Sequence, residues 1–172
     1  VSAPPTPEEA ASIIAELVSD LRSPDGASRR ILAIGIAVPG LVRAADGVVR
    51  WAPHLGWREV PFAQLVRDAT GVETVADNDA TLGAHAEWLF GAGRGLDELV
   101  YLNGGASGVG GGVIVHGQAL GGAHGYAGEF GQNRPGLRDS GDRANPNGTL
   151  EDEVSRARLL RAIGWQSADE PA

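Results

Sequence analysis

The stretch VETVADNDATLGAHAEWLF, residues 72–90, decides the reading of the fold. It opens with a short β-branched run, Val72 to Ala76, which predicts a buried strand. Asp77-Asn78 then supplies residues that cap helices. From about Asp79 to Phe90 the apolar positions recur at helical spacing, with Leu82, Ala86 and Leu89 expected to face inward. Asn and Asp at such a junction are ordinary caps, and capping is the first reading of this pair. A carboxylate there can also serve as a general base, its ionised form favoured by the helix N-terminus.

The same alternation extends in both directions. Upstream, Thr6-Pro7-Glu8-Glu9 starts a helix with a capping threonine, a proline in the first turn and a glutamate three residues on. Ile13, Ile14, Leu17, Val18 and Leu21 share one of its faces, and Ser23-Pro24-Asp25-Gly26 ends it. Ile31 to Val38 reads as a buried strand stopped by Pro39-Gly40. Val48 to Trp51 reads as a short strand, and Pro61 to Thr70 as a helix. Downstream, Leu99–Asn103 and Val109–His116 read as strands, with a turn at His116-Gly117. Gly131 to Gly148 is too polar and turn-rich for a regular element. A last helix is expected from near Thr149 to about Ile163. This order predicts an α/β fold with a mixed sheet. Composition changes at Gly91–Gly95, which sets the expected lobes at 1–93 and 94–172. No repeat of 20–50 residues is present.

Composition narrows the chemistry. The chain has 172 residues and a formal net charge of −8. Cysteine is absent, so thiol nucleophiles, disulfides and thiolate metal sites are excluded. All 14 basic residues are arginine. There is accordingly no P-loop or Schiff-base lysine. The acidic balance argues against this segment gripping nucleic acid by charge. No run of 18 apolar residues suggests a membrane span. A cytoplasmic protein is expected. The first residue is Val1 and methionine is absent, so the chain is expected to be an interior or trimmed segment of a longer product.

Of 26 glycines, twelve lie between Gly104 and Gly131. Their centre is Asn103-Gly104-Gly105-Ala106-Ser107-Gly108-Val109-Gly110-Gly111-Gly112. Such a turn between strands either cradles a phosphate or packs as a close hairpin. It is no dinucleotide fingerprint, because a strand follows it rather than a helix.

Five ordered motifs together resemble the ROK family, which groups sugar kinases with sugar-responsive transcriptional repressors. They are Gly-Ile-Ala-Val-Pro-Gly (35–40), Ala-Pro-His-Leu-Gly-Trp (52–57), Asn-Asp-Ala (78–80), the glycine-rich turn, and Ala-Gly-Glu-Phe-Gly (127–131). The resemblance implies an actin-like, ribonuclease H-like ATPase fold of two lobes, incomplete in this chain. It implies sugar binding by Gly40, Asn78, Asp79, Glu129, Gln132 and Glu151. In a kinase Asp79 would be the general base, and Ala106, Ser107 and Gly108 would line a weak phosphate site.

The chain departs from the family pattern in three ways. The Asp-Gly-Thr phosphate hairpin of the first lobe is not present. The second phosphate turn reads Ala106-Ser107-Gly108 where kinases carry Gly-Thr-Gly. The zinc-ligand positions align to Gln132, Asp142, Ala144 and Thr149, so no zinc is expected. Without it the 131–148 loop is expected to be mobile.

These features predict a sugar-sensing module of a ROK-type regulator. Its DNA contact would lie outside this chain, its ligand would be a small-molecule sugar, and it would form a homo-oligomer. The alternative is a fragment of an ATP-dependent hexose kinase, for which ATP and Mg would be the cofactors. A third reading is a degenerate module that binds no sugar. His54, His85, His116 and His124 share no ligand spacing, so no histidine metal site is expected. Trp51, Trp57, Trp88 and Trp165 read as packing residues. Arg156, Arg158 and Arg161 read as a solvated helix face. A truncated sheet predicts marginal stability or self-association when the segment is alone.

Overall fold

The computed structural model of the chain describes residues 3–22, 30–105, 108–123, 125–134, 148–154, 159–160 and 162–164. Its elements are α1 (Pro7–Arg22), β1 (Ile34–Val38), β2 (Leu41–Arg43), β3 (Val48–Ala52), β4 (Trp57–Val60), α2 (Phe62–Thr70), β5 (Thr74–Asn78), α3 (Asp79–Phe90), β6 (Leu99–Gly105), β7 (Gly108–Val115), β8 (Gln118–Ala119) and α4 (Leu150–Glu153). Contacts divide the chain into two compact units, Val1–Leu82 with Gly121–Tyr126, and Gly83–Leu120 with Ala127–Ala172. The division falls inside α3. The composition step at Gly91–Gly95 coincides with the turns that end that helix.

In the first unit, α1 starts as its sequence dictates. Glu9 N donates to Thr6 Oγ1 at 3.2 Å, and Thr6 N donates to Glu9 Oε2 at 2.8 Å. Two N-terminal amides that the helix leaves unpaired are thereby satisfied. Its packed face differs from the expected one. Ala11 and Val18 are buried, whereas Ile13, Leu17 and Leu21 are more than half exposed. The helix lies down on its smaller residues, with Ala10 and Ile14 at the margin of the core.

β1 pairs in parallel with β5, Ile34 opposite Thr74 through Val38 opposite Asn78. β1 begins three residues later than its apolar run. Leu32 is 72% exposed and lies outside the ladder. β2, β3 and β4 form a separate antiparallel sheet. Parallel and antiparallel pairings both occur, then, but in different sheets and not in one mixed sheet. Sheets and helices enclose Val38, Val42, Val49, Ala52, Trp57, Phe62, Ala63, Val66 and Ala76. α2 turns Phe62, Ala63, Val66 and Thr70 inward and ends on Gly71 at φ 67°, whose amide returns to Arg67 O. The buried hydroxyls are paired: Thr70 Oγ1 donates to Val66 O at 2.8 Å and Thr74 Oγ1 to Val72 O at 2.9 Å. Trp57 packs against Phe62, ring centroids 4.7 Å apart, and its Nε1 donates to Pro5 O at 3.1 Å.

In the second unit, β6, β7 and β8 form an antiparallel sheet in chain order. The β6–β7 hairpin runs in unbroken register from Leu99–Ile114 to Gly105–Gly108. Ile114 is 1% exposed. α4 carries a full capping box, Thr149 with Asp152. The expected last helix is described only in parts: α4, then helical Leu159, Leu160 and Ala162. The Ser23–Gly26 turn, His124, Trp165, Arg156, Arg158, Arg161 and the middle of the 131–148 loop lie outside the described residues.

Candidate functional site

The β5-to-α3 junction is built from three consecutive polar residues, each turned onto local backbone. Asp77 Oδ1 accepts from Asn78 N at 2.8 Å, and Asp79 Oδ1 accepts from Ala80 N at 2.9 Å. Asn78 does the most. Its Oδ1 accepts from Thr81 N at 2.9 Å, which caps α3, and its Nδ2 donates to Gly40 O at 2.9 Å. One side chain thus fastens the helix N-terminus to the β1–β2 turn, 38 residues away in sequence. Capping, the ordinary reading of Asn78, is what the geometry contains. Asp79 sits in the first turn of α3 and is exposed.

Gly40 is required by its surroundings. Its φ is 145°, and a Cβ there would lie 2.5 Å from Trp51 O and 2.8 Å from Ala52 Cα. β3 passes too close for any side chain. Gly40, Asn78 and Asp79 therefore form one connected group within the first unit.

α3 corrects the expected inward face. The buried residues are Ala80 and Ala84, while Ala86 and Leu89 are exposed. Gly83 lies against the Tyr101 ring, where a Cβ would come within 2.8 Å of Cε1.

The second group lies on β7. The segment Ala127–Gln132 crosses the strand with a short 3-10 turn at Phe130–Gln132. Gly128, at φ 94°, leaves no room for a Cβ, which would stand 2.5 Å from Gly111 O. A Cβ on Gly111 would meet the Phe130 ring and, at 2.8 Å, Tyr101 O. A Cβ on Gly131 would meet Val109 O. At Gly111, Gly128 and Gly131 the glycines therefore serve close backbone packing. Gln132 is exposed, and its backbone N–H donates to Glu129 O at 3.2 Å.

Glu151 reaches the same strand from α4. Its Oε2 accepts from Val109 N at 3.3 Å, and its carboxylate faces the Cα atoms of Gly108 and Gly131. Gly108, at φ 143°, belongs to the proposed phosphate turn; Ala106 and Ser107 lie outside the described residues. Sequence reasoning missed the anchoring partner Val109 N, because a backbone atom leaves no signature in residue type.

The zinc positions do not fit the metal. Thr149 Oγ1 is committed to Asp152, donating to Oδ2 at 2.8 Å and accepting from Asp152 N at 3.2 Å. Gln132 offers a neutral amide, and Asp142 and Ala144 lie outside the described residues. None of the four aligned residues is a cysteine or histidine, and an amide, a carboxylate, an alanine and a hydroxyl do not supply the Cys/His set of a tetrahedral structural zinc site. Among the described residues, no group of three or more His, Asp or Glu side chains is arranged to hold a metal ion. His116, at φ 51°, pairs instead with Glu98, Nδ1 to Oε1 at 3.1 Å. No helix among the described residues is long and apolar enough to cross a membrane.

This architecture is that of the actin-like sugar kinases and their repressor relatives, present here in part. The sequence model of the ROK family matches residues 2–150, and the chain belongs to that family. It is 34% identical to the xylose repressor of Caldicellulosiruptor bescii over 153 residues, 81% of this chain and 38% of that protein. It is also 34% identical to a glucokinase of Streptomyces coelicolor over 134 residues, 78% of this chain and 41% of that protein. The solved ROK family glucokinase from Streptomyces griseus, in complex with glucose and AMPPNP, superposes with a TM-score of 0.73 at 32% identity, covering 94% of this chain and 50% of that one. The chain thus spans about two fifths of the length of these curated relatives.

Proposed function

We propose that the chain is the sugar-sensing part of a ROK-type transcriptional regulator whose DNA-binding domain lies outside it. The observation that carries this reading is the Gly40–Asn78–Asp79 group. In it the Asn78 amide, held by Thr81 N and Gly40 O, fixes the helix start that carries the exposed Asp79 carboxylate, an acceptor suited to the donor-rich surface of a polyhydroxylated ligand. Glu129, Gln132 and Glu151 are the proposed sugar residues of the second unit. The likeness to a xylose repressor over 81% of the chain supports the regulator. So does the net charge of −8, since DNA contact is then delegated elsewhere.

A second reading is favoured by the glucokinase relatives. On it, Asp79 would take the proton from the attacking sugar hydroxyl. ATP and Mg would be supplied as in phosphoryl transfer generally. The test uses the full-length protein. Calorimetric titration with xylose and glucose, an operator-release assay and an ADP-release assay are run side by side. The regulator reading expects saturable sugar binding, weakened at least tenfold in Glu129→Ala, with sugar-dependent release from DNA and no ADP. Sugar-dependent ADP formation that Asp79→Asn abolishes, while sugar binding persists, would replace it with the kinase.

A further inference from the structure

We propose that Glu151 is a positioning residue. It fastens the segment after the 134–148 loop onto β7, so that the two ends of that loop are held by protein–protein hydrogen bonds and need no metal. Three independent contacts meet there. Leu150 N donates to Asn133 O at 2.8 Å and joins the two ends of the loop directly. The Thr149–Asp152 capping box orders the first turn of α4 and sets the direction in which Glu151 leaves it. The Glu151 carboxylate then spans to Val109 N, 42 residues away in sequence.

The pocket that receives the carboxylate is shaped by missing side chains. At Gly131 a Cβ would stand 3.0 Å from Glu151 Oε2, and at Gly108 it would overlap the carboxylate. At 3.3 Å this bond is longer than the usual range, so it adds to the 2.8 Å Leu150 N–Asn133 O bond in holding α4 and does not carry it alone. The same contacts seat Gly131, and with it the Glu129–Gln132 segment, against Val109 O. Thr149 stands where the resemblance aligns a zinc cysteine, yet its hydroxyl works as a helix cap. A hydrogen-bonded clamp occupies the place of a metal clamp. This holds whether or not a sugar binds.

The test is amide hydrogen exchange on the full-length protein, with and without EDTA. Val109 and Leu150 are the reporters, and Val49 of the first unit is the control. Glu151→Ala is expected to speed exchange at Val109 by about tenfold while Val49 is unchanged. Glu151→Gln retains an oxygen that can accept the bond, so Val109 should return to an intermediate rate. That graded rescue separates a hydrogen bond from general loss of packing. EDTA and added zinc should leave both rates and the melting temperature unaltered. If Glu151→Ala does not fold, the Gln variant and the chelator arm carry the test. Unchanged Val109 exchange in either variant would overturn the proposal. So would a chelator-induced loss of protection, which would assign the clamp to a metal.

Discussion

The two units rely on two kinds of close packing to different degrees. The first is filled by branched and aromatic side chains, with Val49 and Val66 fully buried around Trp57 and Phe62. The second brings backbone onto backbone, at Gly128 on Gly111 and Gly131 on Val109, and needs side chains to be missing. A core of the first kind is weakened by deletion. One of the second kind is weakened by addition. Added methyl groups should therefore be costly at Gly111, Gly128 and Gly131, and at Gly40 in the first unit, whereas removed ones should be costly in the cluster around Val49.

The largest effect should come from Gly128→Ala. It combines a positive φ with a Cβ 2.5 Å from a carbonyl oxygen that cannot swing away. A loss of about 4 kcal/mol is expected, read as a drop in the denaturant midpoint. Exchange protection should fall in the second unit only. If the first unit loses as much, the two packing schemes are not separable. Val49→Ala is the matched deletion. It removes a 0%-exposed side chain and should cost about 2 kcal/mol, with protection lost around Val42 and Val66. Thr6→Ala should cost about 1 kcal/mol by removing the cap of α1, visible as fraying of its first turn by exchange or circular dichroism.

The smallest effect concerns charge. The hydrogen-bonded Arg43 guanidinium holds the Asp46 carboxyl below the ordinary aspartate range. The unfolded chain therefore takes up that proton at a higher pH than the folded one. The contribution is complete above the ordinary aspartate value and is lost as pH falls through the lower folded value. Arg43→Ala should lower stability slightly at neutral pH, and its difference from the wild type should vanish as pH falls through the lower folded value. A change at neutral pH as large as that of Thr6→Ala would mean the pair is more than a surface contact.

The sequence was most readable where one residue type has one physical use. Thr6 with Glu9, the caps before α3 and the bounds of β6 and β7 all sit within a residue or two of their expected places. β2 and β4 were not foreseen. They span three and four residues, and within β4 Glu59 stands at φ 51°, so no alternation of period two develops. The inward face of α3 was misjudged for a related reason. Hydrophobic weighting selects Leu82 and Leu89, but close approach selects Ala80 and Ala84. In the candidate site the residue types were legible and their partners were not. Asn78 announces a cap, but nothing in the sequence announces that its amide also holds Gly40 O.

The Trp57 contact has an optical consequence. Its indole is almost wholly enclosed, and its N–H is tied to Pro5 O, just ahead of α1. Detachment of that helix would wet the ring and shift its emission to the red. Trp88 belongs to the second unit, where its Nε1 donates to Leu96 O at 2.8 Å. Each unit therefore carries an indole tethered to a backbone carbonyl, 52 residues away in sequence for Trp57 and 8 for Trp88. Time-resolved emission from single-tryptophan variants would show which half of the chain opens first.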